Sequence, residues 1–247
     1  MSDFVRQKLG LVIPTLNEAG NLPTLFSRIR KALDSSQIDY ELIVVDDDSS
    51  DRTAEVAREF AQDDDRIRVF VRKGRRGLAG AVIYGWSHTD ATLLGAIDAD
   101  LQHPPEVLPQ LLEPVLNGND IAIASRYVNG NADGISEWNK FRALVSRFST
   151  LATAPFLQRR DLRVKDPLSG FFIVRRECIE ELQLQPEGFK ILLEILVKGN
   201  IRKAVEVPFH FATRQSGKSK ADFRVALHYF SLLGKLSRYA LFGPGQQ

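Results

Sequence analysis

One cysteine in 247 residues, Cys178, excludes an intrachain disulfide and a cysteine-built metal centre. It follows a strand-like run and reads as a small core residue, not a nucleophile. Long apolar runs are missing as well. None approaches the roughly 18 residues that would span a bilayer, and the opening "MSDFVRQKLGLVIP" lacks the apolar stretch of a signal peptide. Both absences point to a protein kept in the cytoplasm. The net charge is only +2, from 33 basic and 31 acidic residues, so global charge gives no ground for nucleic acid as a partner. There is no GxGxxG after the first strand-like run and no GxxxxGK[ST] anywhere, which removes the usual signals of dinucleotide and P-loop chemistry. No internal repeat or low-complexity tract stands out.

What is present is an alternation. The composition, 44% hydrophobic and 26% charged, is that of a soluble globular protein. "LGLVIP" (9–14), "ELIVVD" (41–46), "IRVFVR" (near 66–72), "ATLLGAID" (91–98) and "DIAIASR" (120–126) are short, apolar and rich in β-branched residues, as strands covered on both faces are. Segments near 18–34, 51–62, 77–88 and 105–117 read as helices. Ser49, Ser50 and Asp51 offer caps for the second, and Pro104 and Pro105 suit the first turn of the fourth. This order predicts an α/β fold, a Rossmann-like, mostly parallel sheet with helices on both faces. Such sheets bind ligands at the carboxyl ends of their strands, where Asn17, Glu18, Asp46 to Asp48, Asp98 to Gln102 and Arg126 collect. After Arg126 the pattern loosens into a Gly- and Asn-rich loop, a helix over 137–157, a strand in "KDPLSGFFIVRRE", a short helix near 188–198, a strand over 203–212 and a last helix over 221–242. The second half is expected to complete one domain, residues 1–220, followed by a C-terminal amphipathic helix and tail, 221–247.

"LLGAIDADLQHPPE" (93–106) carries the sharpest chemistry. Asp98 and Asp100 are two apart at the end of an apolar run, so a strand would point both carboxylates the same way. Like charges that close repel unless a cation lies between them. The pair is therefore either a solvated turn or a cation site. With Gln102 it offers three hard oxygen donors of the kind Mg²⁺ or Mn²⁺ prefers, beside substrate phosphates and water. A carboxylate at the Asp46–Asp48 turn could accept from a ribose or base, or could simply cap the next helix. Arg126, Arg142, Lys190, Arg214, Lys218 and Lys220 supply cations suited to phosphate.

Taken in order, "VIPTLNEAGNL", "VVDDDSSDRT", "DADLQHPPE", "ASRY", "KDPLSGFF", "GFKILLEIL" and the pair Arg214–Lys220 resemble glycosyltransferase family 2, in its dolichol- (polyprenol-) phosphate mannose synthase branch, over about residues 9–222. The resemblance implies a GT-A fold, a divalent metal, and transfer with inversion of mannose from GDP-mannose to a polyprenyl phosphate. It also implies that Pro14, Leu16, Glu18, Val45 and Asp47 line the nucleotide pocket with Asp98, Ala99 and Asp100. Asp98, Asp100 and Gln102 would hold metal. Arg126, Arg142, Lys190, Arg214 and Lys220 would contact donor or acceptor phosphates, with Asp98, Asp100 and Arg126 at the centre of catalysis. Leu16 departs from the tyrosine that many relatives carry, which leaves guanine and uracil both open.

A lipid acceptor requires a route to a membrane. In the last helix Arg224, His228, Lys235 and Arg238 share one face, while Phe223, Leu227, Phe230, Leu233 and Leu241 lie largely opposite. A basic amphipathic helix suits an interface, so peripheral association with the cytoplasmic face of a membrane is expected, directly or through an anchoring partner. The competing role is packing on the sheet.

Overall fold

The computed structural model describes residues 7–36, 38–127, 162–184 and 191–210. Seven strands form one sheet in the order β3-β2-β1-β4-β6-β5-β7. They are β1 (Lys8–Thr15), β2 (Asp39–Asp46), β3 (Ile67–Val71), β4 (Leu93–Ala96), β5 (Ile121–Ser125), β6 (Phe172–Arg175) and β7 (Ala204–Pro208). The helices are α1 (Leu22–Leu33), α2 (Thr53–Asp63), α3 (Leu78–Trp86), α4 (Leu108–Leu116) and α5 (Ile191–Lys198). The expected strands and helices all appear at these positions, within a few residues. The predicted helices over 137–157 and 221–242 lie outside the described residues.

Alternating side chains give each strand two buried faces. Leu9, Leu11 and Ile13 join Leu42 and Val44 in a core with α1, α4 and Ala57 of α2. Val12, Ile43 and Val45 face the other way, into a core with Trp86 of α3 and Ile191, Leu192, Ile195 and Leu196 of α5. Cys178 is buried in that second core, and burial pushes its thiol pKa up to about 11, so it is not a thiolate near neutral pH. At Gly85, α3 comes so close to the sheet that an added Cβ would stand 2.6 and 2.9 Å from the two methyls of Val12.

Helix starts differ slightly from the sequence reading. Arg52, in the left-handed region at φ 64°, occupies the cap position of α2. Asp51 instead accepts from the Thr53 amide and hydroxyl. Pro105 opens a single 3₁₀ turn, Pro105–Val107, ahead of α4.

One strand runs against the rest. β6 is antiparallel to both neighbours, with Ala96 and Ile123 each paired to Phe172. The residues that precede β6 therefore reach the same end of the sheet as the residues that follow β4 and β5.

Candidate active site

The strand order places the site. From β1 the chain passes to β2 and β3 on one side, then crosses to β4 on the other. This is a switch point, where open α/β sheets leave a crevice beyond the carboxyl ends of the strands, here β1 and β4. Pairing between them ends at Val12 and Ala96, with one more bond from the Ile97 amide to the Val12 carbonyl. Pro14, which has no amide hydrogen to donate, comes just after this divergence and pairs only toward β2, opposite Val45.

The loops around the crevice are knitted together by short polar side chains. Thr15 and Ser49 donate their hydroxyls to buried Asp46, and the Asn17 amide donates to the Ser49 hydroxyl at 2.8 Å. Asn17 accepts from the Ser50 amide at 2.9 Å, and the Glu18 amide donates to Thr53 at 2.9 Å. Among the described residues, the non-glycine positions at positive φ are Asn17, Asp48, Arg52 and Leu101, and every one lies in a loop at this end of the sheet. Each such residue costs about 1–3 kcal/mol and persists only because its surroundings impose it, and such strain gathers at functional sites. Leu101 is the most telling, because it is 1% exposed at φ 61° and stands between Asp100 and Gln102.

Asp98 and Asp100 both emerge half-buried beyond β4. The Gln102 amide donates to Asp100 Oδ1 at 3.1 Å, which closes the loop. Buried His103 puts Nδ1 3.5 Å from Asp98 Oδ2, with its ring packed on Phe171 and Phe209. Gly170 forms the floor, since a Cβ there would lie 2.6 Å from Asp98 Oδ2. Two carboxylates and a carboxamide are hard oxygen donors that fit Mg²⁺ or Mn²⁺. Among the described residues no three of His, Cys, Asp or Glu gather into a cluster able to hold an ion. Two carboxylates and one carboxamide would leave a cation most of its shell for substrate phosphates and water.

Arg126 forms the basic wall. Its Nε and Nη2 donate to the two oxygens of Asp166 at 2.8 Å each, and its amide donates to Oδ2 at 3.2 Å. Burial opposes its charge, but Asp166, Tyr127 and Asp98 outweigh that and hold its pKa above the ordinary arginine value. Asp98 is thus near enough to Arg126 to favour its charge. Asp166, only 1% exposed, was missed as a site residue although it lies inside "KDPLSGFF". The rule that site residues follow strands looks past the segment before an antiparallel one.

Asp47 takes a part that neither sequence alternative anticipated. Arg72 clamps it with two bonds of 2.7 Å, and the Gly77 amide donates at 2.8 Å. Burial raises its pKa above the ordinary carboxylate value, with Arg72 and the Gly77 amide opposing. Its acceptor capacity goes chiefly to fixing the loop between β3 and α3, at the edge of the pocket. Pro14 lies in β1 and Val45 in β2, both near the carboxyl ends of those strands, Leu16 and Glu18 follow β1, and Ala99 follows β4, with Val45 and Ala99 buried. Arg142, Lys190, Arg214 and Lys220 lie outside the described residues.

Residues 11–183 match Glycosyl transferase family 2. A dolichol-phosphate mannosyltransferase from Pyrococcus furiosus is 44% identical over 94% of this chain, which spans 64% of that relative's length. Proteins of the same name from Saccharomyces cerevisiae and Mycosarcoma maydis are 34% and 32% identical over 92% and 93% of the chain, and 85% and 79% of theirs. Glucosyl-3-phosphoglycerate synthase from Mycobacterium tuberculosis, in complex with Mn²⁺, UDP-glucose and phosphoglyceric acid, superposes with a TM-score of 0.70 over 97% of this chain and 82% of its own. At 20% identity that likeness speaks to the fold, GT-A.

Proposed function

Because this chain belongs to glycosyltransferase family 2, we propose that it transfers mannose, with inversion, from GDP-mannose to a polyprenyl phosphate. The observation that carries the reading is the Arg126 fork, braced by both oxygens of Asp166, at the same end of the sheet as Asp98 and Asp100. The names of its relatives, at up to 44% identity, support the substrate class. A bound Mg²⁺ or Mn²⁺, held by Asp98, Asp100 and Gln102, would offset the charge of the donor diphosphate as it leaves.

The remaining chemistry belongs to the chain. A sugar hydroxyl acceptor would need a base to remove its proton. A phosphate monoester is already anionic near neutral pH, since its second pKa is about 6. No carboxylate has to act as base; cations must bring two anions together. Arg126 would hold the acceptor phosphate behind the anomeric carbon, its fork oriented by Asp166. An acceptor oxygen then bonds to the anomeric carbon as the carbon–diphosphate bond breaks, and the electron pair leaves with GDP. Arg142 and Lys190 are proposed to assist at the acceptor, Arg214 and Lys220 at the donor. Among the described residues no helix is long and apolar enough to cross a membrane; the basic amphipathic pattern over 221–242 supports a proposal of peripheral contact with the lipid.

The test is a lipid-extractable radiolabel assay with GDP-mannose or UDP-glucose, polyprenyl phosphate, and Mn²⁺ or Mg²⁺ present or withheld. Label from GDP-mannose should enter the organic phase only with metal, and Asp100→Ala should abolish it. Lipid label from UDP-glucose instead would overturn the donor, a base choice that Leu16 leaves open. Full activity of Asp100→Ala without metal would overturn the role of the acidic wall.

A further inference from the structure

We infer that Glu206, on β7, is a positioning residue for Arg126, acting through Asp166; the inference rests on the placement of Arg126 at the acceptor phosphate proposed above. A guanidinium on a long stem is useful in a displacement only if its fork is aimed in advance. Asp166 aims it, with both carboxylate oxygens engaged by Arg126. Asp166 must itself be held in place. It belongs to an irregular segment leading into β6, so no sheet ladder holds its backbone.

Glu206 supplies the missing partner. Its Oε2 accepts from the Lys165 amide at 2.9 Å, and its Oε1 accepts from the Asp166 amide at 2.8 Å. Two consecutive N–H groups clasped by one ionised carboxylate fix the local peptide planes, and so the direction in which Asp166 leaves the chain. β7 is the edge strand beside β5, and Glu206 is in register with Ile123, three residues before Arg126. An acid in an edge strand ordinarily serves solubility by facing water. This one is half-buried and turned onto the backbone of the segment that braces the site. The result is a chain of contacts, Glu206 to the Lys165 and Asp166 amides, then Asp166 to Arg126, that links a strand holding none of the central catalytic residues to the basic wall.

A purely structural role for Glu206 would lower stability and leave Arg126 where it is. Glu206→Gln keeps the size of the side chain but has one acceptor oxygen for two amides. It should slow turnover on the order of tenfold to a hundredfold, the scale of a misplaced reacting group, and raise KM for the polyprenyl phosphate more than KM for the nucleotide sugar. Glu206→Asp, which keeps both oxygens, should recover part of that loss. In an Arg126→Ala background Glu206→Gln should cause no further loss, because its effect passes through Arg126. Hydrogen exchange at the Arg126 Nε–H, followed by NMR without substrate and assigned by its disappearance in Arg126→Lys, should quicken in Glu206→Gln; if that variant does not fold, Glu206→Asp serves the same comparison. Losses that multiply in the Arg126→Ala background, or Nε–H exchange unchanged from wild type, would overturn the inference. Absence of lipid product from every donor would sink the transferase reading instead and leave the exchange experiment standing.

Discussion

At the scale of single residues, the described part of the chain handles its buried carboxylates in two ways. Asp46, Asp47 and Asp166 lie at the carboxyl end of the sheet and spend their oxygens on shaping loops and on holding Arg126. Asp64 lies at the other end and has a plainly structural task. Arg66 clamps it through Nε and Nη2 at 2.8 and 2.9 Å, and Arg30 approaches to 2.9 Å. The Arg66 hydrogen bonds hold its carboxyl below the usual carboxylate range, against the opposing effect of burial. The sign of the linkage follows. A depressed folded pKa contributes stability that is complete above the unfolded value of about 3.9 and is lost as pH falls through the lower folded value. Asp64→Asn should therefore flatten the acid limb of a denaturation curve below about pH 4 and lower stability at neutral pH. An unchanged acid limb in that variant would show that Asp64 is not one of the groups whose protonation unfolds the protein.

At the scale of elements, two glycines separate what holds the fold from what holds the site. A Cβ at Gly85 would strike the methyls of Val12 at 2.6 and 2.9 Å, so α3 would have to lift from the sheet. Overpacking of that kind costs about 1–3 kcal/mol, and the better helix propensity of alanine returns at most about 1 kcal/mol. At Gly170 the obstacle is the Asp98 carboxylate, at 2.6 Å, the end of a side chain that can rotate away. Gly170→Ala should thus leave thermal stability close to wild type while lowering turnover on the order of a hundredfold, because it displaces a donor-organising carboxylate. Gly85→Ala should show the reverse pattern. Calorimetry beside the radiolabel assay distinguishes them, and a Gly170→Ala enzyme with normal turnover would remove Asp98 from its assigned position. The antiparallel direction of β6 explains why Gly170 and Asp166 can serve the site at all. A strand running the other way would have carried the "KDPLSG" segment to the opposite end of the sheet.

At the scale of the whole molecule, the proposed acceptor is a lipid, and the basic amphipathic pattern over 221–242 remains the proposed contact with its membrane. Binding to anionic vesicles should be measurable by co-sedimentation at low salt. It should weaken as ionic strength rises and the Debye length shrinks from about 30 Å at 0.01 M to about 8 Å at 0.15 M. Truncation after residue 220 should abolish it, and failure of the intact chain to sediment with vesicles at low salt would end the proposal. The sequence by itself determined the α/β class and the strands and helices of the described region. Each of these rests on local periodicity or on residues adjacent in the chain, which one dimension records in full. It left "AIDADLQHPPE" as either a solvated turn or a cation site, without seeing that His103 and Gly170 pack beside Asp98. Tertiary structure alone decided that Asp47 belongs to Arg72, that β6 runs backwards, and that Asp166 and Glu206 stand behind Arg126. Those contacts join residues 25 to 40 positions apart, and only the order and direction of the strands bring them together.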